Sequence, residues 1–215
     1  MKTVKTNWLK IVTHVGSLIP LALLLWAFWT DQLTVNPIQD ITFRTGKAAL
    51  VLLVLSLAVT PVNIIFGFRQ VIPLRKLLGL YAYLYVGLHF LIFVGLDYGL
   101  DLQLLYEAVF EKRYALVGFA AFLILTPLAI TSTKGWMKRL GRNWKRLHKV
   151  VYGAALLGVI HYVWLVKSDI REPLIYGAVL VLLLAVRVPP IRRAITQTRY
   201  KFTRKRKARV AVNGA

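Results

Sequence analysis

Six apolar runs of membrane length divide this chain, and they constrain its fold more than any other feature. They cover residues 9–29, 48–66, 77–96, 114–131, 147–166 and 174–188. A helix needs roughly 20 mostly apolar residues to cross a hydrocarbon core about 30 Å thick. No water is present there to pair exposed backbone groups, so such runs must pair their own N–H and C=O groups as helices. The expected fold is an all-α membrane protein, a six-transmembrane-helix bundle over residues 1–190 followed by a basic tail over 191–215. The N-terminal Lys2, Lys5 and Lys10 precede an apolar run with no small-x-small cleavage site after it, which reads as a retained first span.

Composition agrees. The 215 residues are 58% hydrophobic and only 17% charged, more apolar and less charged than a soluble domain. A net charge of +21 would suit a nucleic-acid binder if it formed one patch. Instead the cations occupy short connections and the tail, which excludes nucleic acid and fits a topology signal. Alternate connections and the two termini hold 23 of the 29 Lys and Arg residues, and the opposite connections hold 6. By the positive-inside rule both termini are cytoplasmic. All eight acidic residues fall on the other side, and all six tryptophans lie near the ends of the runs. The tail is expected to rest on anionic lipid heads.

The chemistry-bearing residues are histidines. Three of the four, His89, His148 and His161, lie in two of the apolar runs. An ionisable residue at membrane depth is costly and marks a functional site, and imidazole is the commonest protein ligand for haem iron. His89 lies 12 residues into its run and His161 14 residues into its own. At 1.5 Å per residue both sit about 18–21 Å from the cytoplasmic end, a depth match that suits a bis-histidine clamp on one haem. The bland alternative is two buried polar residues bonded to neighbouring helices. His148 lies 13 residues before His161 and about 140° around an ideal helix from it, so a straight helix cannot aim both at one neighbour. His14 has no partner at matching depth. With no cysteine, any haem is held without thioether links, and thiolate-held iron–sulfur clusters are excluded.

Several short motifs stand in a definite order: Asn7-Trp8-Leu9-Lys10, Leu77-Leu78-Gly79-Leu80, Leu88-His89, Thr131-Ser132-Thr133, Leu147-His148, His161-Tyr162 and Pro173-Leu174-Ile175-Tyr176. Together with Trp144-x-x-Leu147-His148-x-x-x-Tyr152 they resemble the ferric-reductase-like transmembrane domain shared by ferric reductases and NADPH oxidases. The nearer resemblance is to the MsrQ (YedZ) family, haem-binding membrane subunits of bacterial periplasmic methionine sulfoxide reductase systems, over nearly the whole chain.

That resemblance implies a multi-pass protein of the bacterial inner membrane that binds haem b, with FMN as a further cofactor. It implies an electron-transfer subunit rather than a catalytic one, with a periplasmic molybdopterin methionine sulfoxide reductase subunit as acceptor. Two departures from the larger relatives stand out. Fourteen residues before His89, where those relatives carry a second histidine, this chain has Arg75. Arginine stays protonated and is a poor iron ligand, but it suits a haem propionate or a flavin phosphate. The sequence also shows no G-x-G-x-x-G fingerprint of a nicotinamide domain, so quinol or a cytoplasmic flavin reductase is the expected donor. The expected site is His89 and His161 as axial ligands, His148 at an inner site, and Arg75 beside an anionic group. The rival readings are a stand-alone ferric-reductase-like or quinol-oxidising cytochrome b, a histidine-dependent proton or metal transporter, and a membrane scaffold.

Overall fold

A computed structural model describes residues 2–166 and 169–213, with side chains for 8–166 and 169–201. The elements are α1 (Lys2–Trp29), α2 (Pro37–Phe66), α3 (Leu74–Ile92), α4 (Leu102–Glu111), α5 (Arg113–Ile130), α6 (Lys134–Leu140), α7 (Arg142–Leu147), α8 (Val151–Leu165), α9 (Arg171–Ala185) and α10 (Pro189–Asn213). No strand occurs among the described residues. Among the described residues five helical stretches are long and apolar enough to cross a membrane, and a sixth is counted if α9 and α10 form one broken span.

Helix ends follow local chemistry, and this is where the structure departs from the apolar runs. α2 starts 11 residues before its apolar run because Asn36-Pro37 is a start signal. Asn36 Oδ1 accepts from the Gln39 N–H at 3.2 Å, and Pro37 needs no donor in the first turn. The segment at 97–111, which reads as a loop in sequence, contains α4, whose N-cap Asp101 accepts from the N–H groups of Gln103 and Leu104. The basic connection between the fourth and fifth runs folds into α6 and α7, hinged at Gly141 with φ +50°. The sixth run forms a helix of 15 residues, about 22 Å long, followed by a 74° bend into α10.

α2 is the axle of the bundle. Over half of its most apolar window is buried (56%), against 11–22% for the other spans. Leu50, Leu53 and Leu57 of α2 meet Ala82 and Tyr85 of α3, Leu125 of α5, Ala154, Ala155 and Val159 of α8, and Leu180 of α9. α1 is pinned from the side. The buried Tyr85 hydroxyl donates to Ser17 O at 2.8 Å and accepts from the Leu21 N–H at 3.0 Å, so it sits inside the helical ladder next to Pro20. Insertion of that kind bends a helix where proline has already weakened it.

The end of the bundle bearing the Lys and Arg clusters is called the basic end here, and the opposite one the acidic end. At the basic end, Pro61 has no N–H and leaves the Leu57 carbonyl without its helical donor. Arg187, just past α9, supplies it: Nη2 donates to Leu57 O and Nη1 to the Tyr152 hydroxyl at 2.5 Å. Arg199 of α10 donates to the carbonyls of Asn63 and Ile64, both at 2.9 Å, near the end of α2 that Gly67 closes at φ +75°. Cations at a helix C-terminus suit its exposed carbonyls and dipole.

Candidate functional site

The structure brings His89 and His161 together. His89 stands three residues before the end of α3 and His161 four residues before the end of α8. Their ring centres lie 6.2 Å apart with the planes at 86°. A metal–imidazole bond of about 2.0 Å, with about 1.1 Å from nitrogen to ring centre on each side, puts two axial rings about 6 Å apart. The observed spacing is compatible with a shared iron.

Each ring is held by the same device. His89 Nδ1 lies 2.9 Å from Thr42 O, and His161 Nδ1 lies 2.7 Å from Tyr114 O. A carbonyl only accepts, so both Nδ1 atoms carry the proton and donate. That leaves each Nε2 with a free lone pair, the tautomer a metal needs. Four residues after each acceptor stands a glycine. A Cβ at Gly46 would lie 3.1 Å from the His89 ring, and one at Gly118 only 2.6 Å from His161 Nδ1. The two glycines therefore form cradles that let the imidazoles lie against the backbones of α2 and α5.

The surroundings are apolar. Phe90, next to His89, stacks on Phe122 at 4.4 Å and on Phe119 at 6.0 Å, and Phe119 is next to Gly118. Directly after α3 the ladder widens into a π-helical turn over Phe93–Asp97, an irregularity frequent at functional sites. Among the described residues no three His, Asp or Glu side chains cluster as a polydentate metal site. The pair offers two imidazoles, each with Nε2 left free by the Nδ1 bond, and these are the residues that would hold a haem iron.

His148 does not join this pair. It opens a 3₁₀ turn, His148–Val150, between α7 and α8, the irregular start that its angular offset from His161 demanded. Its ring stacks on Trp144 at 4.0 Å, with Nδ1 3.1 Å from Trp144 O and Nε2 3.2 Å from Leu128 O. The neutral ring can donate through only one of these nitrogens, so the other keeps a lone pair. Arg75 lies near enough for its charge to act on both His148 and Arg187. Its backbone carbonyl accepts from Ser56 Oγ at 2.8 Å on α2, next to the Leu57 that Arg187 engages. His14 meets the Tyr81 hydroxyl at 2.8 Å, away from both groups.

The residues that sequence reasoning missed are Gly46, Gly118 and Arg187. A glycine inside a helix is the signal that could have marked the first two. For Arg187 the signal was Pro61, whose missing N–H leaves a carbonyl in need of a donor.

Comparison with known proteins places the chain in a family. Residues 45–159 match the family model described as ferric reductase like transmembrane component, a stretch that includes Gly46, His89, Gly118 and His148. A relative from Xanthomonas axonopodis pv. citri, named protein-methionine-sulfoxide reductase heme-binding subunit MsrQ, is 46% identical over 83% of this chain and 85% of its own. Proteins of the same name from Xanthomonas campestris pv. campestris (strain 8004) and Rhodospirillum rubrum are 45% identical over 87% of this chain and 88% of theirs, and 43% identical over 86% and 89%. No solved structure matches the chain. A helical bundle with several membrane-crossing helices, a histidine pair spaced for one iron, and these likenesses lead to one assignment: the chain belongs to the ferric-reductase-like transmembrane family and, within it, to the MsrQ heme-binding subunits.

Proposed function

We propose that this protein is a haem b electron-transfer subunit of the bacterial inner membrane. It passes electrons from the quinol pool or a cytoplasmic flavin reductase to a periplasmic molybdopterin methionine sulfoxide reductase. The observation that carries the reading is the 6.2 Å, near-perpendicular placement of His89 and His161, each with its Nδ1 proton tied to a carbonyl. Haem bound there would supply a one-electron couple within the bilayer. The chain's own part is to fix the two rings, exclude water with Phe90, Phe119 and Phe122, and set the distances to both faces.

The basic end is the cytoplasmic one in this reading, because 23 of 29 Lys and Arg residues belong to it. The histidine pair then lies in the outer half of the membrane, where an electron leaves toward a periplasmic acceptor. At the acidic end Lys112 donates to the Tyr98 hydroxyl at 2.9 Å, and that contact holds its ammonium above the ordinary lysine range. The contact anchors the α4 segment, whose exposed Tyr106 and Phe110 stand among acidic residues where an acceptor would dock.

His148 and Arg75 are proposed for an inner site near the cytoplasmic face. Ligation through His148 Nε2 would give up its contacts with Leu128 O and Ser132 Oγ. Arg75 would face the propionates or phosphate of a haem or FMN there, and all eight carboxylates are assigned to the opposite side.

The test is a spectrum. Purified protein should show a low-spin b-type haem whose ferric EPR signal is strongly anisotropic, as near-perpendicular axial imidazoles require. His89→Ala and His161→Ala should each lose the haem or turn it high-spin, while His14→Ala keeps it. A full low-spin complement in His161→Ala would refute the ligation.

A further inference from the structure

We propose that α9 is a strap that positions the histidine pair, with Glu172 as the residue that sets how the two rings face each other. This rests on the reading of His89 and His161 as axial ligands. Glu172 lies in the first turn of α9. Its Oε1 pairs with Lys47 Nζ at 2.5 Å, and its Oε2 accepts from the Tyr162 hydroxyl at 3.1 Å. Lys47 directly follows Gly46, the cradle of His89, and Tyr162 directly follows His161. One carboxylate thus joins the helix on which His89 rests to the helix that carries His161.

The other end of α9 repeats the arrangement with opposite charge. Arg187, two residues past the helix, donates to Leu57 O on α2 and to the Tyr152 hydroxyl on α8. The spacing is matched: Lys47 and Leu57 are ten residues apart on α2, and Tyr152 and Tyr162 are ten apart on α8. At 1.5 Å per residue each interval is about 15 Å, so α9 grips the same length of both helices from its two ends. Between the two grips Leu180 is buried against the core, and Tyr176, Leu183 and Leu184 pack on it.

This division gives the two grips different consequences. The outer grip adjoins the histidine pair, so loosening it changes the separation and plane angle of the rings. The inner grip lies some ten residues away on both helices, beside Arg75 and His148. Its loss should loosen the basic end and leave the outer rings in place.

In the sequence Glu172 is one of eight acidic residues on the side opposite the basic clusters. Here both of its oxygens are engaged within the chain, and it contributes to the site by holding two helices.

The experiment uses full-length, haem-loaded protein in nanodiscs and reads the low-spin EPR signal and the rate of haem loss to an apoprotein acceptor. Glu172→Gln and Tyr162→Phe should each shift the EPR signal. Glu172→Gln should also speed haem loss by about 1.5- to five-fold, the range expected for losing one partly exposed ion pair. The exchanged pair Lys47→Glu with Glu172→Lys should recover most of the parental signal. Arg187→Lys should leave the outer EPR signal unchanged, and circular dichroism checks that each variant is folded. If Glu172→Gln, Tyr162→Phe and the exchanged pair all match a parent that shows the bis-histidine signal, the strap is wrong and the ligation stands. If that signal persists in His161→Ala, the ligation fails and the strap with it.

Discussion

Replacing Gly118 by alanine tests the cradle most directly, because ordinary helix propensity predicts the opposite sign. In an unobstructed helix interior Gly→Ala stabilises by about 1 kcal/mol. At Gly118 the added Cβ would stand 2.6 Å from His161 Nδ1 and 2.8 Å from its Cε1. Ordinary contact begins near 3.4 Å, so the ring must retreat by roughly 0.8 Å. That stretches the 2.7 Å bond from Nδ1 to Tyr114 O to about 3.5 Å, beyond useful hydrogen-bond geometry. Losing the bond costs about 1 kcal/mol and overpacking about 1–3 kcal/mol. After the helix-propensity gain the net cost is about 1–3 kcal/mol, or roughly 5- to 150-fold in haem retention. A displacement of 0.8 Å also exceeds the roughly 0.2 Å tolerance of a metal–ligand bond, so the residual haem should be largely high-spin.

The assay is the haem-to-protein ratio and the reduced visible spectrum of Gly118→Ala beside Gly46→Ala and Gly153→Ala. A Cβ at Gly46 would be 3.1 Å from the His89 ring, an overlap that a small tilt relieves, so its effect should be weaker. At Gly153 nothing lies within 4 Å, so that variant should match the parent. Full low-spin haem in Gly118→Ala would refute the cradle.

Three further outcomes follow from the same structure. Arg187→Ala should leave the Leu57 carbonyl unpaired beside Pro61 and free the Tyr152 hydroxyl, lowering stability by about 2–4 kcal/mol in a thermal or denaturant melt. Arg75→Lys should weaken retention of an inner cofactor less than Arg75→Ala, because charge survives without the two-pronged geometry; equal cofactor content in all three proteins would remove Arg75 from the site. Reporter fusions after Phe68, Arg142 and Arg199 should report cytoplasm and those near Asn36 and Asp101 periplasm, and the reverse pattern would overturn the direction of electron flow.

What could be read from the sequence, and what could not, divides along physical lines. Spanning helices were legible because the bilayer imposes a length and a composition on each one independently. The pairing of His89 with His161 was legible because rise per residue converts sequence position into depth without knowledge of packing. Gly46 and Gly118 were not, since a cradle depends on which helix faces which, and depth carries no azimuth. α4, α6 and α7 were missed for another reason: they are short and partly polar, and their caps at Asp101 and Thr133 lie in stretches that read as connections. The 3₁₀ turn at His148 was foreseen only as a need, from the angle to His161. Beside it the Trp144 ring stacks on His148 while Trp144 Nε1 donates to Thr131 O at 2.9 Å, and the latter is a contact with the end of α5 that sequence position does not reveal.

The partner chosen for each imidazole bears on the use of the site. A metal-ligating histidine commonly donates its second N–H to a carboxylate or to a backbone carbonyl, and either fixes the tautomer. A carboxylate pulls harder on the proton, makes the ring more basic toward the metal and favours the oxidised iron. It also places a formal charge in a low dielectric, where it must be paired. Here both partners are carbonyls, Thr42 O and Tyr114 O, and each already serves the helical ladder of α2 or α5. On the proposed ligation the rings therefore stay neutral and only moderately basic, and no fixed charge opposes an arriving electron. Glu172, the nearby carboxylate that could have played the stronger part, is paired with Lys47 and bonded to Tyr162 instead of to a ring nitrogen. The arrangement keeps negative charge at the helix ends and leaves the iron's immediate surroundings uncharged. That would suit the proposed relay, which accepts an electron inside the bilayer and releases it at the acidic face.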